Sequence, residues 1–504
     1  MTRRCGDSSR VGVRDRSQRG AVGLSNAAGI QDTSWPEQVD RSSPAGETDR
    51  IMSRSPTGPE SASAGTWIER CAPDDLAARY GTPFYVYDFD LIEHRVDALR
   101  CVLPPVAEVA YAVKANPALS VVAHLGRLRV GADVASRGEL ELAVRAGITP
   151  DRIVMTGPGK RDDELRQAVV LGIRAVTVES PAELARLEAI AAEAGRIQPV
   201  MLRAATSGHA GLERVRLVGD AGAGKFGMDA ADLIEAAWRA SRSPHLDLLG
   251  LHSFGASNVL DAEILLAHVE ATVSAARRLA VATGTRIRLV DVGGGLGIPY
   301  ADHEEPLDLE RLGAGLAAIT AAWVDDPVLA EARLLLEPGR FLVGPAGAYV
   351  ARVVDRKTVD GSAVVILDGG VHHVLRPALT RQEHRVRALG APGAPGSQDG
   401  RLGSREDAPR APRRRATEMR PVTIAGPLCS GLDIFCQGFL MRPPEVGELV
   451  AVLDVGAYGF TESMPLFLSH PIPAEVAVRG GRAELIRPRV EPSTWLAAQI
   501  AHDW

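Results

Sequence analysis

Between residues 108 and 340 two hydrophobic patterns alternate. In the first, apolar and often β-branched residues follow one another in short runs. These lie at 108–114 (EVAYAVK), 129–134 (RVGADV), 152–156 (RIVMT), 174–178 (RAVTV), 199–204 (PVMLRA), 247–253 (DLLGLHS), 286–292 (RIRLVDV) and 333–337 (RLLLE). In the second, stretches rich in Ala, Leu, Glu and Arg at 137–146, 162–171, 181–194, 229–240 and 261–282 carry helical periodicity. Apolar runs without polar alternation suit parallel strands covered on both faces. A repeat of about 32 residues is the size of one strand–helix unit. Eight such units predict an α/β fold closed as a (β/α)8 barrel of TIM type over 106–345. On pattern alone, an open doubly wound sheet is the alternative.

The flanks read differently. One short run, 83–88 (PFYVYD), precedes the barrel. Strand-like runs at 347–355, 362–367, 421–424, 448–453 and 473–478 follow it, separated by Gly and Pro turns. They predict an all-β domain over 346–490, joined by the segment 66–105, with 491–504 as a tail.

Composition changes this picture in two places. The chain has 51 Gly and 33 Pro against 4% aromatic residues. Part of that surplus lies in 1–65, which is polar and without apolar periodicity, and reads as a disordered leader. It has no apolar stretch of the kind a secretory signal needs, and its arginines are interleaved with Asp7, Asp15, Asp32 and Glu37. Another part lies in 391–418, read as a disordered surface insertion whose run Arg413–Arg415 reads as solvated. The net charge of −6 gives no basic excess for nucleic acid. No apolar stretch is long enough to span a membrane. Five scattered cysteines suggest neither a disulfide framework nor a zinc site, so a cytoplasmic protein without a metal is expected.

The rest of the glycine surplus sits at strand ends, where barrels place their chemistry. Those ends hold Lys114, Asp133, Arg203, His252, Gly293–Gly295 and Glu337. A lysine closing a buried apolar strand is costly unless paired or covalently used; a snorkelling structural lysine is the other reading. The three glycines of DVGGGLGI end a strand and expose backbone N–H groups that can hold a phosphate, although any tight turn can use glycine. Glu337-Pro338-Gly339-Arg340 puts a carboxylate and a guanidinium at the last strand end. Lysine, phosphate cradle and carboxylate together suggest pyridoxal 5'-phosphate: a Schiff-base lysine, a phosphate site and a partner for the pyridine nitrogen.

In combination, the motifs YGTPFYVYD (80–88), YAVKAN (111–116), GADVASRGEL (131–140), GKFGMD (224–229), DVGGGLGIPY (291–300), EPGR (337–340), CSGLD (429–433) and GAYG (456–459) identify a family. From about Tyr80 to Leu468, outside 391–418, the chain resembles the fold-type III pyridoxal phosphate decarboxylases. These include the diaminopimelate, ornithine and arginine decarboxylases and share the alanine racemase-like barrel. The resemblance implies that Lys114 carries the cofactor, with Asp133 nearby. It places Gly293, Gly294 and Gly295 on the phosphate, helped by Ser257, Arg340 and Tyr458, and Glu337 on the pyridine nitrogen. An arginine takes that last place in the related racemases, so Glu337 favours decarboxylation over racemisation. Cys429 is implied to protonate Cα from the partner subunit of a homodimer with shared active sites; otherwise it is a small buried hydrophobe.

Three departures stand out. Family members carry an HxHxGS-type stretch whose second His stacks on the cofactor; here LHSFGAS keeps His252 and puts Phe254 in the stacking position. An acidic residue that reads a distal amine follows the catalytic cysteine in relatives; here it is Ser430. Arg376 keeps the register of a distal-carboxylate arginine, with a structural or interface role as the alternative. The resemblance implies that Arg376, Ser430 and Asp433 contact substrate. His372 and His373 fall on a loop near the site. The expected activity is α-decarboxylation of a small-molecule amino acid, diaminopimelate decarboxylase-like. The alternatives are a decarboxylase of specialised metabolism acting on a carrier-protein-bound, glutamyl-type amino acid, a non-catalytic regulatory homologue, and a racemase.

Overall fold

The computed structural model describes residues 67–205, 224–381, 384–389 and 419–502. The leader read at 1–65 and the insertion read at 391–418 lie outside the described residues.

The eight runs form β2 (Ala107–Ala112), β3 (Gly131–Val134), β4 (Ile153–Met155), β5 (Ala175–Val178), β6 (Gln198–Arg203), β7 (Leu246–His252), β8 (Leu289–Asp291) and β9 (Arg333–Leu336). Each pairs in parallel with the next, and β9 pairs with β2, so the sheet is a closed barrel and the open-sheet alternative falls away. The helices begin where a short polar side chain can take up an unpaired N–H. Ser136 accepts from Glu139 N, Ser180 from Glu183 N, and Asp229 from Ala231 N and Asp232 N. Gly172 and Gly284 end two of them in the left-handed conformation.

Three barrel-side helices were not read from the pattern: Phe89–Val102, Leu119–Arg127 and Leu309–Ala321. The first divides the segment 66–105 between two roles. Asp88 caps it by accepting from Leu91 N, and the helix packs against Leu309–Ala321 on the barrel's outside. Just before it, β1 (Phe84–Asp88) runs between β10 (Gly347–Val359) and a late strand of the other domain.

That domain is a single sheet of nine strands. After β10 come β11 (Ser362–Leu367), β12 (Val386–Ala388), β13 (Arg420–Ala425), β14 (Ile434–Met441), β15 (Leu449–Leu453), β16 (Ala474–Arg479) and β17 (Arg482–Arg487). β1 is antiparallel to β10 and parallel to β16. β12, β14 and β17 are absent from the sequence reading for a physical reason. β12 has three residues, β14 is broken by Gly438 at φ +70°, and β17 is largely polar and uncovered. The pairing of β10 with β1 and β15 brings Gly456-Ala457-Tyr458 under the barrel mouth, where Tyr458 N donates to Ala115 O at 2.8 Å.

Candidate active site

The strand ends converge as the pattern required. Lys114 lies in the short turn Val113–Ala115 that closes β2, and Asp133 is next to last in β3. Lys114 Nζ donates to Asp133 Oδ2 at 2.8 Å, and Thr156 Oγ1, just past β4, donates to Asp133 Oδ1 at 2.6 Å. Asp133 is buried, whereas the lysine side chain remains 45% exposed toward the strand-end cleft. Burial opposes the lysine's charge, but the carboxylates of Asp133 and Glu337 outweigh it and raise its pKa above the ordinary value.

Across the barrel, His252 ends β7 and Glu337 follows β9; His252 Nε2 stands 3.5 Å from Glu337 Oε2. Asp291, the last residue of β8, completes a buried set whose ligand atoms lie within 4.8 Å of one another. Burial alone pushes Glu337 up; the His252 ring, Lys114 and Asp291 overcome it and hold Glu337 low. Burial and the Glu337 charge push Asp291 well above its ordinary value. Asp291 Oδ2 and Glu337 Oε1 are both buried with no hydrogen-bond partner among the described residues. Two carboxylates and an imidazole at this spacing could also grip a small cation.

Backbone must come close at the glycines. Gly293 has φ +65° and Gly295 φ +103°; a Cβ on Gly294 would stand 2.5 Å from Glu337 O. Asp291 Oδ1 accepts from Gly293 N at 2.9 Å, which fixes the first turn of the loop. Phe254 lies against this backbone: a Cβ on Gly293 would meet its ring at 2.8 Å.

Beside the glycines, buried Arg340 donates through Nη2 to Ser257 Oγ at 3.2 Å and through Nη1 to Tyr300 Oη at 2.6 Å. Its guanidinium lies 4.7 Å from the Tyr458 ring centre, and that of Arg376 lies 4.9 Å from the same ring. Arg376 Nη1 is already paired with Glu462 Oε2 at 2.8 Å.

Two residues expected at the substrate have other surroundings. Asp433 is buried, and its carboxylate accepts Val371 N and Leu428 N, both at 2.7 Å. It staples the 368–373 loop to the turn before β14, with one backbone N–H on each oxygen. Ser430 Oγ accepts Leu432 N at 3.2 Å within that turn. Cys429 is exposed there, and no hydrogen bond joins it to Lys114 among the described residues. Thr156, Asp291, Tyr300 and Glu462 were not singled out in the sequence. Asp291 and Tyr300 bound the DVGGGLGIPY motif, and Thr156 follows a strand as Asp133 ends one, so strand-end position was the available signal.

The site fits a pyridoxal phosphate cofactor. The cradle admits no side chain at Gly294, and three polar atoms facing this region, Arg340 Nε, Glu337 Oε1 and His252 Nδ1, are buried without a hydrogen-bond partner among the described residues. A barrel with lysine, glycine cradle and buried carboxylate at its strand ends defines a cofactor-dependent lyase or isomerase. Comparison narrows the class. The family described as pyridoxal-dependent decarboxylase, pyridoxal binding domain, matches residues 89–344. The chain is 32% identical to the L-glutamyl-[BtrI acyl-carrier protein] decarboxylase of Niallia circulans, over 84% of this chain and 95% of that protein. It is 32% identical to diaminopimelate decarboxylase of Zymomonas mobilis, over 87% and 97%. The structure of diaminopimelate decarboxylase from Helicobacter pylori complexed with L-lysine superposes with a TM-score of 0.74 at 28% identity, covering 84% of this chain and 98% of that one. The chain belongs to the pyridoxal-dependent decarboxylases. It is a diaminopimelate decarboxylase-like carboxy-lyase.

Histidines packed beside the site set its acid tolerance. The His372 and His373 rings lie with centroids 3.7 Å apart, tilted by 44°, and the His384 ring centre lies 4.7 Å from that of Tyr300. Burial, then the neighbouring His470, lowers His372 from 6.5 to about 4; burial likewise lowers His384 to about 4, aided by Arg376 and Arg340. The unfolded chain therefore protonates first as pH falls. The contribution of His372 and His384 to stability, full above pH 6.5, should be lost as pH falls from 6.5 through about 4. Urea titrations at stepped pH measure this; H372Q and H384Q should each flatten the decline, and an unchanged slope in both variants would contradict it.

Proposed function

We propose that Lys114 holds the cofactor through Nζ and that the chain releases CO2 from Cα of an amino acid bound at this strand-end site. Bound pyridoxal 5'-phosphate supplies an electron-accepting ring for the pair left by CO2. Asp133, 2.8 Å from Lys114 Nζ, is the nearest base for the lysine proton, and Thr156 keeps its second oxygen oriented. Glu337, held low by the His252 ring and Lys114, would hold the proton on the pyridine nitrogen. Gly293, Gly294, Gly295, Ser257, Arg340 and Tyr458 would bind the phosphate, and Phe254 would cover a ring face. The observation that carries this reading is the Lys114–Asp133 pair facing a second buried carboxylate, Glu337, across one cleft.

Cys429 is assigned to deliver the Cα proton across a homodimer interface. It is exposed on the turn between β13 and β14, beside Leu432, which is 64% exposed, so the turn is open to a second copy. The absence of a membrane-length apolar helix among the described residues and the family's metabolic role support a cytoplasmic enzyme.

The Arg376–Glu462 pair favours the carrier-bound alternative for the substrate. A free distal carboxylate would have to displace a carboxylate tethered to the same chain, and Ser430 offers no charge to a distal ammonium. A distal end that is an amide or thioester needs neither charged partner. The Niallia relative's name gives an example, a glutamyl group on an acyl-carrier protein.

CO2 release should be lost in K114A and reduced by about 10²–10³-fold in kcat in E337A. Full activity in K114A would overturn the assignment. Wild type should turn over a carrier-linked glutamyl substrate with higher kcat/KM than meso-diaminopimelate. E462Q, which frees Arg376, should lower KM for free diacids by about tenfold, the effect of roughly 1.4 kcal/mol. A wild type that prefers meso-diaminopimelate, with E462Q unchanged, would contradict the neutral distal end.

A further inference from the structure

A cavity of about 830 Å³ opens at the opposite pole of the barrel, among the first residues of the strands. Its walls carry Arg100, Arg129, Arg152, Arg174 and Arg333 against two acids, Glu108 and Asp151. Glu108 is fully engaged: Oε2 pairs with Arg174 at 2.5 Å and Oε1 with Arg333 at 2.8 Å. Those two arginines close one side of the barrel floor as an ordinary ion-paired layer. The other side is not balanced. Among the described residues Arg100, Arg129 and Arg152 form no ion pair, and Asp151 is the one acid of the lining left to them.

The crowding is visible at Arg152. Burial, then the guanidinium of Arg129 and that of Arg100, lowers its pKa, with Asp151 and Glu108 opposing. Like charges gathered in a cavity repel one another and gain most from a multivalent counter-ion. The deep end of the cavity is apolar, formed by Ala110, Val154 and Leu335 from the lowest layer of the barrel core. A cationic rim over an apolar floor selects an anion that carries an uncharged body. The volume lies within the range of small-ligand sites, and guanidinium groups pair with phosphate oxygens in bidentate fashion.

We propose that this floor cavity is a second ligand site, which takes an oligophosphate of nucleotide size through Arg100, Arg129 and Arg152. It is separate from the catalytic face: Lys114, Asp133, His252 and Glu337 all lie at the other ends of the same strands. Binding there leaves the cofactor's phosphate cradle untouched.

Calorimetric titration of the holoenzyme tests this, with ATP and inorganic tripolyphosphate as probes. ATP should bind saturably, once per chain, and more weakly at higher salt. Tripolyphosphate should compete with it but bind less tightly, since it lacks a body for the apolar floor. In R100S/R129S, two exposed positions, ATP affinity should fall at least tenfold while the holoenzyme's visible spectrum is unchanged. R152S should do the same. Absence of saturable ATP binding, equal affinity in both variants and wild type, or displacement of ATP by added pyridoxal phosphate would each overturn the proposal.

Discussion

The structure depends on how one cation is held at the mouth of a barrel. Lys114 closes β2 among atoms that disfavour charge, and the Asp133 and Glu337 carboxylates on two other strands make that charge stable. Closing eight parallel strands places all three ends around one cleft. The carboxylates in turn need their own support. Thr156 fixes Asp133, while His252 and Lys114 hold Glu337 low against its burial, and burial beside Glu337 pushes Asp291 up. Each carboxylate therefore has more than one partner, and the groups act together to hold the lysine's charge at the cleft.

The second domain completes this unit from outside. Its strand β10 threads between β1, β11 and β15, and β1 binds β10 and β16 to the helix Phe89–Val102 on the barrel. This arrangement delivers Tyr458 to Ala115 O, one residue from Lys114, with Arg340 and Arg376 close to the same ring. Tyr458 has φ +55°, a conformation a non-glycine residue adopts at a cost, and the GAYG turn must take it for the ring to reach the mouth. The link from β1 to β16 thus joins strand pairing directly to the cofactor end of the site.

The barrel was legible because strands buried on both faces leave uninterrupted apolar runs, and because the helices between them keep a helical periodicity. Leu119–Arg127, only nine residues long, escaped, as did Phe89–Val102, which sits in a segment read as a connector. Within the site, Lys114, Asp133, His252 and Glu337 were legible from their strand-end positions. What Asp433 holds was not legible: the CSGLD motif marks its position, but its bonds to Val371 N and Leu428 N join two loops far apart in the chain. Glu462 could not be read as the occupant of Arg376, because the two are 86 residues apart and meet only when the loop after β15 folds over the helix Arg376–Thr380. The upward push on the Asp291 carboxyl likewise arises from burial beside Glu337, which no spacing along the chain encodes.

The central claim is that Lys114, of all the amines in the chain, carries the cofactor. There are four lysines, Lys114, Lys160, Lys225 and Lys357. Lys160 is buried against Glu183 at 2.8 Å, so it is both near the strand ends and chemically engaged. Borohydride reduction of the holoenzyme fixes pyridoxal to whichever lysine holds it, and peptide mass mapping then identifies the residue. The account predicts one pyridoxyl group per chain on the peptide containing Lys114. A label on Lys160, Lys225 or Lys357, or no label at all, would contradict it.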